Sequence, residues 1–168
     1  MIQKILVALD DSDLSQFVFE NALSLAKSTH SQLLLIHVLA PTDAEYPATP
    51  IYTGVDTYYM PIYEELMKRW RDDLSEYERQ QLMKLRSFAS AAEAAGVATE
   101  LTQSLGEPGK MICSTALTWG ADLILLGRRG RSGVSEFFLG SVSNYVMHHA
   151  PCSVLIVQTP GGVKSEKS

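Results

Sequence analysis

Four glycines and a serine in the last third of the sequence have the types and spacing of an anion-binding segment. Gly127, Gly130 and Gly133 follow an apolar run, and Gly140-Ser141 comes where a new helical pattern begins. Glycine lets the backbone approach a ligand closely, and the first turn of a helix presents unpaired N–H groups to an anion. A strand, a glycine-rich loop and a helix N-terminus in this order predict a phosphate cradle.

Charged residues near this cradle have two interpretations each. Arg128, Arg129 and Arg131 lie in the glycine-rich loop, where a guanidinium fits a phosphate well, although arginines in polar loops commonly face solvent. Asp10 directly follows the first apolar run, where it is either a ligand-binding carboxylate or a helix cap. Both alternatives stay open at this point.

Other common signatures of catalysis and nucleotide binding are absent from the sequence. The Gly109-Lys110 pair lacks the glycine that a Walker A loop places five residues before such a pair, and Asp10 stands where a dinucleotide fingerprint would begin. Neither a Gly-x-Ser-x-Gly elbow nor a His-Glu-x-x-His zinc motif occurs, and no residues have metal-ligand spacing. We therefore predict no catalytic residue and no metal ligand.

The elements that must position the cradle alternate along the chain. Strands are predicted at 2–9, of which 5–9 is apolar, at the continuous apolar runs 33–38 and 123–126, and at 152–157. Alternating polarity predicts a further strand at 97–105. Helical spacing predicts helices at 14–29, 62–95, 108–120 and 140–150. The resulting order β-α-β-loop-α-β-α-β-α-β is typical of an α/β domain with an open parallel sheet and helices on both faces.

The polarity of the strands predicts their order in this five-stranded sheet. Three strands, the first, second and fourth, are fully apolar and belong in the interior, and the polar strand at 97–105 belongs at an edge, which order 3-2-1-4-5 satisfies best. Strands one and four are then neighbours where the winding reverses, and ligands bind there at the C-terminal strand ends. Asp10 and Gly127 should share one crevice.

Two segments depart from this regular alternation. The loop at 39–61 contains several prolines and tyrosines, and the tyrosines either stack on a base or fold the loop onto the domain or a partner. The helix at 62–95 would be about 50 Å long, roughly twice the length of a strand. We expect a bend or break near 73–75, or a first half that projects beyond the sheet. Two interpretations follow: the projecting half is a surface for a partner, or the segment is a core helix that merely kinks.

Composition is typical of one globular domain. The chain has 168 residues, of which 46% are hydrophobic and 20% charged, and a net charge of −5. We expect a single domain at 1–158 and a flexible tail at 159–168. The negative charge argues against nucleic acid as a partner, and no apolar run approaches the roughly 20 residues that cross a bilayer. Without a signal-peptide pattern at its start, the sequence predicts a cytoplasmic protein.

The spacing Gly127-x2-Gly130-x9-Gly140-Ser141 resembles the ATP-binding signature of the universal stress protein family. The similarity extends over nearly the whole domain, including the segments 5–10, 36–38 and 151–157. A glycine triplet alone is weak support, but the full spacing on the expected strand, with both flanking motifs, is specific. The resemblance implies a Rossmann-like fold of the adenine nucleotide alpha hydrolase type.

The resemblance also implies a set of nucleotide contacts. Asp10 would bind the nucleoside through a ribose hydroxyl, and Val38 would frame adenine. Gly127 and Gly130 would let the loop close over ribose and phosphates, and the start of the last helix would bind phosphate oxygens. The full set of implied contacts is Ala8, Asp10, Val38, Leu126, Gly127, Arg129, Gly130, Gly140, Ser141, Val142 and Ser143.

These implications lead to three functional hypotheses. The first is an ATP-binding module for stress response or signalling, which binds ATP (or AMP or ADP) with Mg²⁺ and acts through partner proteins. The second is a slow ATPase or phosphotransferase, and the third is a dimeric scaffold that binds no nucleotide. Family resemblance further implies a homodimer formed through the last strand. The expectation of no nucleic acid and no membrane as partner comes from the net charge and the short apolar runs.

Overall fold

A computed structural model of the chain describes residues 1–41, 43, 45–51, 60–128 and 139–158. Within these ranges, strands and helices alternate in the predicted order. The strands are β1 (Lys4–Ala8), β2 (Gln32–Leu39), β3 (Thr99–Leu105), β4 (Leu123–Gly127) and β5 (Ser153–Val157). The helices are α1 (Leu14–Thr29), α2 (Met60–Ala94), α3 (Pro108–Trp119) and α4 (Ser141–His149).

The five strands form one parallel sheet in the order β3-β2-β1-β4-β5, which confirms the predicted topology. Val7 of β1 pairs with Leu35 of β2 on one side and with Leu125 of β4 on the other. The polar strand β3 lies at one edge, as its sequence predicted. The winding reverses between β1 and β4, so the C-terminal ends of these strands flank the switch point.

Side chains of the central strands alternate between two apolar layers, because successive residues of a strand point to opposite faces. Val7 belongs to the layer that α1 and α2 cover, where it is packed with Val18 and Leu85. Leu6 belongs to the layer under α3 and α4, where it is packed with Ile112 and Val146. Helices therefore cover both faces of the sheet.

Helix α2 is continuous, so the break predicted near 73–75 is absent. Among its described side chains from 61 to 76, none is buried, whereas Tyr77, Gln81 and Leu85 are. Only the second half of the helix therefore packs on the sheet, and the alternative of a projecting first half agrees with this exposure pattern.

The described part of the loop after β2 packs on α2. The ring of Tyr46 meets that of Tyr77 edge-on at 5.9 Å between centroids, and Trp70 Nε1 donates to the Pro47 carbonyl at 3.1 Å. Tyr46 therefore folds the loop onto the domain. The other loop tyrosines, Tyr52, Tyr58 and Tyr59, and the predicted tail lie outside the described residues.

Of the helices in the described ranges, none is both long enough and apolar enough to span a membrane.

Candidate functional site

A cavity of about 710 Å³ lies at the C-terminal ends of β1, β2 and β4. Its lining includes most of the predicted contact residues: Ala8, Asp10, Val38, Leu126, Gly127, Gly140, Ser141, Val142 and Ser143. Arg129 and Gly130 lie outside the described residues, as do Arg131 and Gly133. The structure thus gathers residues from β1, β2, β4 and α4, which are far apart in the sequence, around one space.

Asp10 shapes the turn between β1 and α1 with one of its two carboxylate oxygens. Oδ1 accepts from the Ser12 N–H at 3.1 Å and the Ser12 hydroxyl at 2.5 Å, and it lies 2.8 Å from the Ser15 hydroxyl. An Asp side chain that accepts from the N–H two residues later is a common turn-forming arrangement. No described residue donates to Oδ2, so this oxygen remains available to a ligand hydroxyl.

The alternative role of Asp10 as the cap of α1 is not the one found in the structure. Asp13 occupies the N-cap position, and its side chain makes no capping hydrogen bond. Asp10 is solvent-exposed and lies at the cavity instead. Its fold-related contacts and its exposure are compatible with ligand binding through Oδ2.

The backbone of Val38 faces the cavity because β1 ends before β2 does. The Leu9 N–H donates to the Ile36 carbonyl at 3.0 Å, so the backbone groups of Ile36 point toward β1. Every second residue of a strand directs its N–H and C=O to the same neighbour, so those of Val38 also point to the β1 side. Because β1 has already ended there, these two groups point past its end. A donor and an acceptor in fixed geometry thus line the cavity, which suits the hydrogen-bonding edge of a purine base.

The start of α4 forms the opposite wall. The Gly140 N–H donates to the Arg128 carbonyl at 3.0 Å, and the buried Ser143 hydroxyl lies 3.1 Å from that carbonyl and 3.0 Å from the Gly140 carbonyl. These contacts hold the end of β4 against the start of α4. The backbone N–H groups of Ser141, Val142 and Ser143 lie in the first turn, where they have no intrahelical acceptor and can bind an anion.

The position of Gly127 has a packing reason that the sequence did not reveal. A Cβ at this residue would lie 2.6 Å from Leu14 Cδ2 and 3.1 Å from Leu14 Cγ. Such distances are far below van der Waals contact, so glycine lets the first turn of α1 pack against the end of β4. The turn that carries Asp10 can therefore approach the end of β4 closely.

Several further residues line the cavity that sequence reasoning did not assign to the site. From the loop after β2 comes Asp43, whose Oδ2 accepts from Tyr77 Oη at 3.3 Å and from the Ala40 N–H at 3.2 Å. From α3 and α4 come Gly109 and Tyr145, which pack so tightly that a Cβ on Gly109 would lie 2.6 Å from the ring. The Pro108-Gly109 pair at a helix start was the available signal for this close approach.

The described residues do not include a group of three or more His, Cys, Asp or Glu side chains arranged to hold a metal ion. Oδ2 of Asp10, to which no residue in the described ranges donates, suits a ligand hydroxyl. The backbone of Val38 suits a planar polar edge, and the first turn of α4 suits an anion. Together these features fit a phosphorylated nucleoside.

Comparison with known proteins places the chain in a family context. A sequence model of the universal stress protein family matches residues 1–158. Universal stress protein Sll1388 of Synechocystis is 40% identical over an alignment of 159 residues, which covers 92% of this chain and 97% of that protein. Universal stress protein YxiE of Bacillus subtilis is 35% identical over 158 residues, which make up 94% of this chain and all (100%) of that protein.

Solved structures share the fold at lower identity. The hypothetical protein MJ0577 superimposes with a TM-score of 0.71 at 21% identity, covering 95% of this chain and 98% of that one. A universal stress protein in complex with cAMP gives a TM-score of 0.59 at 23% identity, with coverages of 95% and 98%. The universal stress protein from Archaeoglobus fulgidus in complex with dAMP gives 0.56 at 19% identity, with coverages of 94% and 100%.

Proposed function

The chain belongs to the universal stress protein family, and we propose that within this family it is an ATP-binding member that works as a nucleotide-dependent stress or signalling module. The observation that carries the proposal is the convergence of three unlike groups on one cavity. These are the Asp10 Oδ2 without a described donor, the backbone of Val38 beyond the end of β1, and the first turn of α4.

Each group has a role in this proposal. Asp10 Oδ2 accepts a hydrogen bond from a ribose hydroxyl, and the N–H and C=O of Val38 pair with the edge of adenine. The phosphates lie at the N–H groups of Ser141, Val142 and Ser143, where both free donors and the helix dipole favour an anion. The Ser143 hydroxyl is hydrogen-bonded to the carbonyls of Arg128 and Gly140, so Ser143 would bind phosphate through its backbone N–H.

Two structures of the same fold support an adenine nucleotide as the ligand class, since one holds cAMP and the other dAMP. Within this ligand class we propose ATP as the nucleotide. The phosphate oxygens would hold Mg²⁺, because the described residues include no cluster of ligands for this ion. Gly130, a glycine of the family signature, and Arg129, whose guanidinium fits a phosphate, remain part of the proposed contact set.

Homodimerisation through β5 is the second part of the proposal. Strand β5 is an edge of the sheet, and Leu155 on it is 43% exposed. An edge strand that presents apolar side chains is a ready surface for pairing with a second chain. Nucleotide binding would then bias the contacts that the dimer makes with other proteins.

Two measurements on the purified protein test nucleotide binding. We expect denaturation followed by chromatography of the supernatant to release an adenine nucleotide, or titration of the ligand-free protein with Mg-ATP to release heat that saturates at one site per chain. If the supernatant holds no adenine nucleotide and the titration gives no heat, the proposal is wrong.

Turnover is a separate question with its own assay. Of the described carboxylates that line the cavity, Asp10 is assigned to the ribose, and the others are engaged by neighbouring side chains: Asp11 by Lys84 and Gln81, Asp43 by Tyr77, and Glu107 by Lys110. None of these described carboxylates is therefore ready to act as a general base. We therefore expect binding without efficient hydrolysis. A phosphate-release assay on the wild type and on Asp10→Ala checks this, and hydrolysis faster than in the variant by several orders of magnitude would favour an enzyme.

A further inference from the structure

One face of α2 reaches the turn and the loop that line the nucleotide cavity. Tyr77, Gln81 and Lys84 lie at i, i+4 and i+7, which places them in one row along the helix. The polar end of each contacts a residue of the cavity wall: Tyr77 contacts Asp43, and Gln81 and Lys84 contact Asp11. The second half of α2 thus touches the site from outside.

Both carboxylate oxygens of Asp11 are held by this face. Lys84 Nζ lies 2.5 Å from Oδ1, and Gln81 Nε2 donates to Oδ2 at 3.3 Å. The Asp11 side chain is only 10% exposed, whereas that of Lys84 is 55% exposed. Burial raises the pKa of Asp11, but the hydrogen bond and positive charge of Lys84, together with the hydrogen bond from Gln81, hold this pKa below its ordinary value.

The turn that carries Asp10 contacts α2 through Asp11, and a second cavity of about 290 Å³ lies beside these contacts. This cavity is lined by Asp10, Ser12 and Asp13 of the turn and by Lys84, Ser87 and Phe88 of α2. Ser12 and Ser15 determine the internal shape of the turn through Oδ1 of Asp10. Beside the cavity, the contacts of Asp11 with Lys84 and Gln81 hold the turn as a whole.

We infer that Lys84, acting through Asp11, is a positioning residue for ribose recognition by Asp10. This inference rests on the proposed binding of an adenine nucleotide at the same site. Lys84 itself need not touch the ligand. By anchoring the residue next to Asp10, Lys84 keeps Oδ2 of Asp10 at the distance from Val38 and α4 that a ribose hydroxyl requires. Nucleotide affinity therefore depends on α2, whose first half is exposed.

The test compares ATP with 2′,3′-dideoxy-ATP, which carries the same phosphates but lacks both ribose hydroxyls. Because the charge of the two ligands is equal, the ratio of their dissociation constants does not report the electrostatic attraction between Lys84 and phosphate. For Lys84→Met we expect ATP affinity to fall about 10-fold, which is about 1.4 kcal/mol, while dideoxy-ATP affinity stays within about 2-fold.

Two further variants make the result specific. Lys84→Arg keeps a cation that can reach Asp11 and should restore most of the discrimination between the two ligands. Lys68→Met removes the same side chain from an exposed position on the first half of α2 and should bind both ligands as the wild type does. Circular dichroism and thermal unfolding of each variant establish that it is folded.

The possible outcomes separate this inference from the proposal beneath it. If the wild type binds ATP and Lys84→Met keeps the full preference for ATP over dideoxy-ATP, the positioning role is wrong and nucleotide binding stands. An equal loss of affinity for both ligands in Lys84→Met also overturns it, because a general structural defect does not select the ribose. If the wild type binds no adenine nucleotide, both are overturned.

Discussion

Replacing Asp10 by asparagine changes the one side-chain atom that the proposed site offers to ribose and leaves the turn intact. In the wild type, Asp10 Oδ1 accepts from the Ser12 N–H at 3.1 Å and from the Ser12 hydroxyl at 2.5 Å, and the Ser15 hydroxyl lies nearby. An asparagine oxygen at the same position can accept the same hydrogen bonds. At the Oδ2 position, an acceptor with negative charge becomes an N–H₂ donor. The substitution therefore tests ligand binding with little change to the fold.

The expected loss follows from the type of hydrogen bond that is removed. A bond to a charged group contributes about 1.5–3 kcal/mol, and asparagine can still donate weakly to a ribose oxygen. We therefore expect the lower end of that range, a loss of about 1.5 kcal/mol or roughly 10-fold in ATP affinity. Since Asp10 is exposed, the free energy of unfolding should change by less than about 0.5 kcal/mol.

Calorimetric titration with Mg-ATP measures the affinity, and urea denaturation without ligand measures the stability. Asp13→Asn is the matched control, because Asp13 is exposed, lies three residues away and makes no capping hydrogen bond with its side chain. It removes the same charge from the same turn. Dideoxy-ATP should bind Asp10→Asn and wild type with nearly equal affinity, since it lacks the hydroxyls that Asp10 would bind.

Two results would refute this reasoning. One is an Asp10→Asn protein that binds ATP as tightly as the wild type, which would remove Asp10 from the site. The other is an Asp13→Asn protein that loses as much affinity as Asp10→Asn, which would mean that net charge in the turn, and no particular oxygen, determines binding.

Three further predictions concern the packing and the charge around the site. Gly109→Ala should destabilise the protein by about 1–3 kcal/mol in urea denaturation, because the new Cβ would lie 2.6 Å from the ring of Tyr145; a smaller loss in the Tyr145→Ala background would support this cause. Ser143→Ala should cost about 1 kcal/mol of stability by the same assay, because its buried hydroxyl is hydrogen-bonded, and an unchanged midpoint would contradict this. The pKa of Asp11 in the folded protein is below its ordinary value of 3.8, so the charged carboxylate contributes its full stabilisation above pH 3.8 and loses it on further acidification. The difference in unfolding free energy between wild type and Asp11→Asn should therefore shrink between pH 7 and pH 3. A difference that stays constant over this range would count against the pair with Lys84.

Local sequence patterns were sufficient to predict the topology of the sheet. Strands such as β2 are apolar on both faces because both faces are covered, whereas β3 alternates because it lies at an edge, and this contrast gave the strand order. Helix α2 was harder, because its apolar residues shift phase near 73–75. The helix continues through that point because its first half is not constrained to follow the sheet.

The candidate site was predictable where the chain itself brings residues to the strand ends. The sequence shows that Asp10 follows the first strand, that Val38 ends the predicted second strand and that Ser141 lies at the start of the last helix. The topology of the sheet is enough to place these three residues together. Contacts that depend on long-range packing were not predictable. Lys84 meets Asp11 across 73 positions of sequence, and nothing in the helical pattern of α2 distinguishes Lys84 from the exposed lysine at 68.

The central claim is that one cavity binds an adenine nucleotide with the turn after β1, the end of β2 and the start of α4. Titration of the isotope-labelled protein with Mg-ATP, followed by amide NMR spectra, tests it most directly. We predict the largest shifts at Asp10, Val38 and the amides of residues 141–143, saturating together with one dissociation constant. Spectra that do not change, or whose largest shifts lie at residues outside the cavity, would contradict the claim.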